Sequence, residues 1–181
     1  CAGTFEIIPA LKLAEIAEFE GSFPPSGWIT GGNSNWLQDS STKFGGSYSA
    51  ASGSIDNSQS TYINTTKKFI EDGKIEFYWK VSSEKNYDFL VFCIDSSGCT
   101  RTSGFRDRIS GDVEWQQKSY PVAAGTHTFE WRYATDYSIL SRSNRGWIDN
   151  VKFIGTSVSD TVPPSTTASA TSPPDGAPYA F

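Results

Sequence analysis

The sequence predicts an all-β protein, a two-sheet antiparallel β-sandwich of the jelly-roll type with an N-terminal arm and an extended C-terminal tail. Three observations lead to this fold class. Short segments rich in β-branched and aromatic residues recur through residues 19–155, each bounded by Gly, Ser, Asn or Asp. No strong helical pattern interrupts them. Aromatic residues make up 14% of the 181-residue chain, which contains no Met, and this composition favours short strands and tight turns.

The predicted strands follow one another through the globular part of the chain. They are residues 47–52, 60–69, 74–81, 88–94, 114–120, 127–133 and 146–154. About eight short antiparallel strands bury their apolar faces by packing as two sheets. The aromatic side chains expected to fill the space between these sheets are Phe77, Trp79, Phe89, Phe129, Trp131 and Trp147.

Two segments of different composition flank the globular part. In residues 1–18, Pro9 followed by Ala-Leu-Lys-Leu-Ala-Glu favours a short helix, while alternating apolar residues equally allow a strand. Residues 156–181 hold five of the nine prolines and no basic residue, which is typical of a stiff polyproline-like linker or stalk. We therefore divide the chain into an arm (1–18), a jelly roll (19–155) and a tail (156–181).

The arm and the tail also predict contacts between copies of the chain. The tail is too poor in apolar residues to fold alone, and fixing its backbone costs about 1–2 kcal/mol per residue, so its order requires another surface. A soluble monomer should not leave the apolar patch of the arm exposed. The residues expected to anchor these contacts are Phe5, Ile7, Ile8, Tyr179 and Phe181.

Charge and composition argue against several classes of function. The net charge is −5, from 15 Lys and Arg against 20 Asp and Glu, whereas binding of nucleic acid requires clustered basic residues. No apolar run approaches the roughly 20 residues needed to cross a bilayer. The single His127 leaves no second histidine for a shared metal site. Neither a Gly-x-Ser-x-Gly elbow nor a phosphate-binding loop is present, so we expect no enzymatic activity.

The three cysteines predict one disulfide and one unpaired residue. Cys93 and Cys99 flank the short Gly-containing loop CIDSSGC, and a bond between them is expected to contribute roughly 2–2.5 kcal/mol. The alternative is two free buried thiols, as a reducing compartment would maintain. Cys1 remains, either as a lipid-modified anchor of the kind that begins mature bacterial lipoproteins, as an interchain disulfide, or as a residue at a sequence boundary.

The globular part resembles domains of secreted and surface proteins of bacteria and archaea. The resemblance spans residues 18–154 and is carried by EFEGSFPPSGWITGGNSNW, GGSYSAASGSI, KIEFYWKVSSEKNYDFLVFCID, SYPVAAGTHTFEWRY and GWIDNVKF. The opening FEG…FPPSGW is similar to the cleaved-adhesin domains of bacterial surface proteases. The opening FE with the closing WIDNV is similar to the MAM adhesion domain. These domains are concanavalin-like jelly rolls, so the resemblance implies this fold and an extracellular or cell-surface location.

The same resemblance implies a structural cation. In the similar folds, carboxylates on the first and last strands hold an ion, and the corresponding residues here are Glu20 and Asp149. Two carboxylates with backbone carbonyls, from Gly21 and from Ser47 or Ser49, suit Ca²⁺, which takes 6–8 oxygen ligands. The alternative is a pair of solvated acids at strand ends.

Candidate ligand-binding residues lie in loops. Trp28 and Trp36 flank TGGNSN; Trp28 is expected in the core, and an exposed Trp36 beside Asn35 could stack on and hydrogen-bond a sugar. Two loops, CTRTSGFRDRISGDVEW and YATDYSILSRSNRGWID, depart from the family pattern and carry Arg106 and Arg142. Because binding specificity usually resides in loops, these arginines are further candidates.

Three other features have simpler interpretations. Asn64-Thr65-Thr66 matches the glycosylation sequon. Glu84 and Asp88 form an acidic pair of the kind glycoside hydrolases use, but the surrounding Ser and Asn residues favour a hydrogen-bonded turn. His127 follows a Gly turn and is expected to be a packed strand residue.

These observations predict a non-enzymatic extracellular protein with two competing functions. In the first it is a structural subunit of a surface filament or layer, with copies of itself as partners through the terminal segments. In the second it is an adhesion module that binds carbohydrate or another surface protein. Neither function involves nucleic acid or a transmembrane segment.

Overall fold

The computed structural model describes residues 14–140 and 142–156, and within them it contains ten antiparallel strands and no helix. The strands are β1 (Ala14–Ala17), β2 (Trp28–Gly32), β3 (Leu37–Asp39), β4 (Ser49–Ala51), β5 (Ser60–Ser82), β6 (Phe89–Ile94), β7 (Asp107–Ile109), β8 (Asp112–Val122), β9 (Gly125–Ala134) and β10 (Arg145–Thr156). The all-β fold class is confirmed. In this part of the chain there is also no helix that could span a membrane.

The long strand β5 belongs to two sheets. Its first half, residues 60–69, pairs with β2 and β9, whereas residues 73–82 pair with β8 and β10. The first sheet therefore runs β2–β5–β9–β6–β7, and the second runs β3–β4–β10–β5–β8 with β1 also on β10. The segments predicted as separate strands at 60–69 and 74–81 are thus one strand that joins both sheets of the sandwich.

Aromatic side chains fill the space between the sheets, as predicted. Phe77, Trp79, Phe129 and Trp131 are fully buried. The ring centroid of Phe77 lies 5.2 Å from that of Trp131, edge to face, and 4.7 Å from that of Phe92. Each contact of this kind contributes about 0.5–1.5 kcal/mol to stability in addition to the contribution of buried apolar area. The aromatic residues therefore stabilise the packing of the two sheets against each other.

Two aromatic residues predicted for this core lie elsewhere. Phe89 packs in a second, smaller cluster, and Trp147 is buried but donates its Nε1–H to Asp39 Oδ2 at 2.8 Å. Successive strand residues point to opposite faces of a sheet, and the neighbouring Leu90 and Ile148 are the ones that join the main core. Phe89 and Trp147 therefore face away from the space between the sheets.

The segment assigned to the N-terminal arm includes strand β1, which pairs with β10 from Ala14↔Ile154 to Ala17↔Val151. Glu15 in this strand forms an ion pair with Lys67 of β5. At the other end, β10 continues to Thr156. The remaining residues of the arm and tail, including Cys1 and the five proposed assembly anchors Phe5, Ile7, Ile8, Tyr179 and Phe181, lie outside the described residues.

Candidate functional site

The outward face of the first sheet carries an open groove of about 380 Å³. Its floor is formed by Ser60 at the start of β5 and by Arg132 and Ala134 at the end of β9. One wall is the loop of residues 95–106, which contributes Thr100 and Arg101. We call this feature the β5–β9 groove.

The floor of the β5–β9 groove is organised around Arg132. Its Nε donates to Glu130 Oε1 at 2.8 Å and its Nη1 donates to Ser60 Oγ at 2.9 Å. The guanidinium also lies 4.9 Å from the ring centroid of Tyr62, its cross-strand neighbour. Because three neighbours restrain this side chain, its remaining N–H groups are held in place before a ligand arrives.

The Tyr62 ring occupies the space beside Gly31 of β2, which is free because this glycine has no side chain. A Cβ added at Gly31 would lie 2.6 Å from the Tyr62 hydroxyl oxygen. The aromatic ring therefore covers the strand beside it and remains half-buried on the outward face. Its hydroxyl therefore lies beside β2, on the same sheet face as the Arg132 guanidinium.

The wall of the groove is held by the disulfide Cys93–Cys99, whose Cα atoms are 6.1 Å apart. Both cysteines pack with Phe89 and Val91 in the second apolar cluster, with Phe105 at its edge. This cluster forms because all the β6 side chains are apolar, and the outward-facing ones need a cover of their own. The pairing of the two cysteines agrees with the sequence prediction, and it places the loop over β6.

The guanidinium of Arg108 covers the outer side of the same apolar cluster. The Arg108 guanidinium lies 4.3 Å from the Phe89 ring centroid and 4.7 Å from that of Phe105. Its Nη1 also donates to the carbonyl of Arg101 at 2.5 Å, and Arg101 Nη1 in turn donates to the carbonyl of Tyr87 at 3.2 Å. These contacts fix the backbone of the wall where it borders the groove.

Backbone hydrogen bonds define the far end of the groove. Asn33 Oδ1 accepts from the Ser60 amide at 3.0 Å, and Thr135 Oγ1 accepts from the Gln59 amide at 3.2 Å. Tyr137 lies at the rim with 81% of its surface exposed. The groove thus combines restrained arginines, hydroxyls and the exposed Tyr137, with Tyr62 beside its floor, which suits a polar ligand rich in hydroxyl groups.

The residues that sequence analysis singled out for ligand binding do not form one site. Trp36 is 3% exposed and belongs to the main core, so its predicted exposure is wrong. Trp28 lies in the core as expected. Asn35 is exposed, but the side chain of the neighbouring Trp36 is buried. The predicted pair of an exposed Trp36 beside Asn35 is therefore not formed.

The two predicted arginines lie at opposite ends of β8. Arg106 lies 5.6 Å from the ring centroid of Tyr120, near the end of the strand, whereas Arg142 forms an ion pair with Asp112 at its first residue. Asp112 and Tyr120 are eight residues apart along the strand, a span of roughly 26 Å, so the two arginines lie too far apart to contact one small ligand. Each of them stays a separate candidate.

The polar residues of the groove floor and of the sheet face beside it could have been found from strand alternation. Ser60, Tyr62 and Asn64 alternate with buried residues along β5, and Glu130 and Arg132 do the same along β9. Adjacent strands bring these two polar rows side by side. The sequon residue Asn64 pairs with Glu130 in the ladder, so a glycan attached there would lie next to Tyr62.

His127 is held by hydrogen bonds, in agreement with its interpretation as a packed strand residue. Its Nδ1 lies 2.6 Å from Asp95 Oδ2 and its Nε2 lies 3.0 Å from the carbonyl of Ala123. Asp95 Oδ1 additionally accepts from the Thr128 amide at 2.7 Å. Both ring nitrogens of the histidine therefore have protein partners.

The carboxylates of Glu20 and Asp149 accept hydrogen bonds from the same turn between β3 and β4. Asp149 Oδ2 accepts from the amides of Phe44 and Gly45 at 2.9 and 3.1 Å, and Glu20 Oε1 accepts from those of Ser47 and Tyr48 at 2.8 and 3.0 Å. The structure thus brings the two predicted metal ligands to one turn.

Asp149 is 1% exposed, and burial raises the pKa of its carboxyl. Hydrogen bonds from Gly45, Phe44 and Asn150 oppose this effect, while the charge of Glu20 adds to it. Within the described ranges neither acid has a Lys or Arg partner. Hard carboxylate oxygens without a protein cation are a donor set that fits Ca²⁺.

Comparisons with solved structures agree with the fold. The K2 cleaved adhesin domain of Lys-gingipain is 17% identical over 77% of this chain and 97% of its own, with a TM-score of 0.56. The K1 domain of Lys-gingipain from Porphyromonas gingivalis W83 is 18% identical over 81% and 99%, with a TM-score of 0.54. The CBM22-1 xylan-binding domain of Xyn10C from Paenibacillus barcinonensis is 13% identical over 82% and 100%, with a TM-score of 0.54.

No protein-family model and no curated protein matches the sequence. The fold and the groove define the class of the protein, a jelly-roll β-sandwich with an open polar face. More particularly, its fold is similar to those of cleaved adhesin domains and family 22 carbohydrate-binding modules, in agreement with the resemblance seen in the sequence.

Proposed function

We propose that this chain is a non-catalytic, extracellular binding module that holds a glycan in the β5–β9 groove. The observation that carries the proposal is the restrained Arg132 on the floor of the groove, with Tyr62 beside it on the same open sheet face. Arg132 offers N–H donors, Tyr62 beside it offers a hydroxyl, and Tyr137 at the rim offers an exposed ring. Sugars present the matching combination of hydroxyl groups and apolar ring faces.

The fold supports a binding role, since structures similar to this chain include adhesin domains and xylan-binding domains. Of the two functions predicted from the sequence, the binding module is therefore better supported than the structural subunit. The residues proposed to mediate assembly lie outside the described parts of the chain, and that function stays a prediction.

Binding assays on Tyr62 test the proposal. The full chain is titrated by calorimetry with soluble xylan and with a panel of plant and bacterial polysaccharides, and the best ligand is then used on variants. Tyr62→Ala and Arg132→Ala should each weaken binding at least about tenfold, because each removes a contact worth roughly 1.4 kcal/mol or more.

Tyr78→Ala is the matched control. Tyr78 is also half-buried on an outward strand face of β5, but it belongs to the second sheet, where its ring stacks on Phe44 at 3.6 Å. This variant should bind glycan as the native chain does. Loss of binding in Tyr78→Ala but not in Tyr62→Ala would move the site to the second sheet, and failure of the whole panel to bind would contradict the proposed function.

A further inference from the structure

Three carboxylates meet beside the β5–β9 groove. Glu84 lies in the turn after β5, Asp88 comes directly before β6, and Asp136 follows β9. One oxygen from each of them lies within 4.8 Å of the others. The three residues come from two connections distant in sequence, so the fold itself brings them together.

Two of these three acids are buried, and in the described part of the chain two carboxylate oxygens of the cluster lack partners. Asp88 is fully buried and Asp136 is 3% exposed. Within residues 14–140 and 142–156, Asp88 Oδ2 and Glu84 Oε2 are enclosed and accept no hydrogen bond. Burying a carboxylate oxygen without a partner is unfavourable, so a cluster of this kind calls for a ligand.

Among the residues that the structure describes, no protein cation fills this need. Arg101 is near enough to favour the charged form of Asp88, but its side chain donates to the Tyr87 carbonyl and forms no ion pair with the three acids. Burial, with the charges of Asp136 and Glu84, raises the pKa of Asp88 despite a hydrogen bond from the Asp136 amide and the field of Arg101. The three carboxylates of the cluster therefore repel one another.

Backbone contacts hold the carboxylates in these positions. Asp88 Oδ1 accepts from the Asp136 amide at 2.8 Å, which directs the other oxygen, Oδ2, elsewhere. Asp136 Oδ1 accepts from the Ser138 amide at 2.8 Å, and the Asp88 amide donates to the Glu84 carbonyl at 3.1 Å. The cluster is thus preorganised by the fold before any ligand binds.

We infer that Glu84, Asp88 and Asp136 bind a hard divalent cation of the Ca²⁺ type. Ca²⁺ binds oxygens at 2.3–2.6 Å, so two oxygens on opposite sides of the ion are about 4.6–5.2 Å apart, and the cluster fits within that span. The ion would join the turn after β5 to the segment after β9. The site shares no residue with the Glu20–Asp149 pair, and it does not depend on glycan binding.

Calcium titration of the full chain tests this site. The chain is stripped with EDTA, returned to neutral buffer without chelator, and titrated with Ca²⁺ by calorimetry. Asp136→Asn and Asp88→Asn are chosen because the amide oxygen keeps the backbone hydrogen bond that Oδ1 accepts. Each variant should lose one bound Ca²⁺ per chain or bind it at least about tenfold more weakly, because affinity follows the charge of the ligand set.

Asp72→Asn is the matched control, since Asp72 Oδ1 also accepts one backbone hydrogen bond, from Ala124 at 2.8 Å, outside the cluster. It should bind Ca²⁺ as the native chain does. Thermal unfolding in EDTA should show both cluster variants at least as stable as the native chain, because each removes a repelling charge. Equal Ca²⁺ binding by all four proteins, or no binding by the native chain, would overturn the inference.

Discussion

At the scale of single residues, the carboxylates Glu20 and Asp149 show how the fold concentrates negative charge. They accept four backbone hydrogen bonds from one turn, yet neither meets a described cation. Folding therefore fixes the turn and brings two like charges together. A bound cation would remove the repulsion and keep the hydrogen bonds, which is why we propose Ca²⁺ at this pair.

Calcium should therefore stabilise the chain through Glu20. We expect Ca²⁺ to raise the melting temperature of the EDTA-treated protein, and Glu20→Gln to reduce that rise while keeping the amide contacts that Oε1 accepts. Glu18→Gln, an exposed acid two residues away, serves as the control. Thermal unfolding followed by circular dichroism measures the shift, and an equal rise in both variants would contradict the proposal.

The pH dependence gives a second readout for the same pair. In the folded state the pKa of the Asp149 carboxyl is raised above its ordinary value of 3.8. At pH values between the ordinary pKa and the raised pKa, folding is therefore accompanied by proton uptake. In EDTA this carboxyl should destabilise the protein as the pH rises through the raised pKa, with the full effect above that pKa. Saturating Ca²⁺ should remove this part of the dependence.

Individual site residues were harder to predict than strands. Trp36 stands among Gly, Asn and Ser, which indicates an exposed loop, yet its side chain turns into the core. Local composition describes the backbone environment of a residue and does not determine which way a single loop side chain points. Tyr62 and Arg132 were predictable in principle, because their exposure follows from strand alternation, which has a fixed period.

At the scale of elements, β5 shows where sequence patterns are ambiguous. Glu71-Asp72-Gly73 has the composition of a turn, and the sequence therefore predicts two strands. In the structure the chain continues as one strand, because each half finds different partners on the two sheets. The acidic and glycine residues mark the crossing between sheets, which only the tertiary pairing distinguishes from a hairpin.

Gly73 should be essential at this crossing. A Cβ there would overlap the backbone carbonyl oxygen of Ile154 in β10, and backbone atoms in a paired strand cannot move aside easily. We expect Gly73→Ala to lower the free energy of unfolding by about 1–3 kcal/mol, as overpacking does. Urea denaturation measures this difference.

Gly21→Ala is the control for that substitution, since a Cβ at Gly21 meets no atom within 4 Å. Its free energy of unfolding should stay within about 0.5 kcal/mol of the native value, as for other surface substitutions. If Gly73→Ala were as stable as Gly21→Ala, the approach of β5 to β10 would be looser than the structure describes.

At the scale of the whole molecule, the fold was predictable and the position of the site was not. Recurrent aromatic strand segments determine that two sheets must pack, and the motifs from EFEGSF to WIDNV indicate which type of sandwich they form. The groove depends on how β5 and β9 lie beside the 95–106 loop, and that arrangement follows from long-range pairing and from the disulfide.

Deletion of residues 157–181 separates the two functions at this scale. All described strands lie between Ala14 and Thr156, and the residues of the β5–β9 groove lie among them. The shortened chain should therefore unfold cooperatively at the native temperature and bind glycan with unchanged affinity. If the chain is also a subunit of a filament or layer, sedimentation and electron microscopy should show assembly by the full chain and its loss on deletion.

The anchors within that segment allow a sharper version of the same experiment. Tyr179 and Phe181 are the only aromatic residues after Phe153, so replacing both with Ala in the full chain removes the apolar contacts and keeps the length and the prolines. This double variant should lose assembly as the deletion does, because burial of each large side chain contributes about 1.5–3 kcal/mol to docking. Normal assembly by either variant would exclude the tail as the assembly element, and loss of glycan binding in either would show that the groove is not the whole binding site.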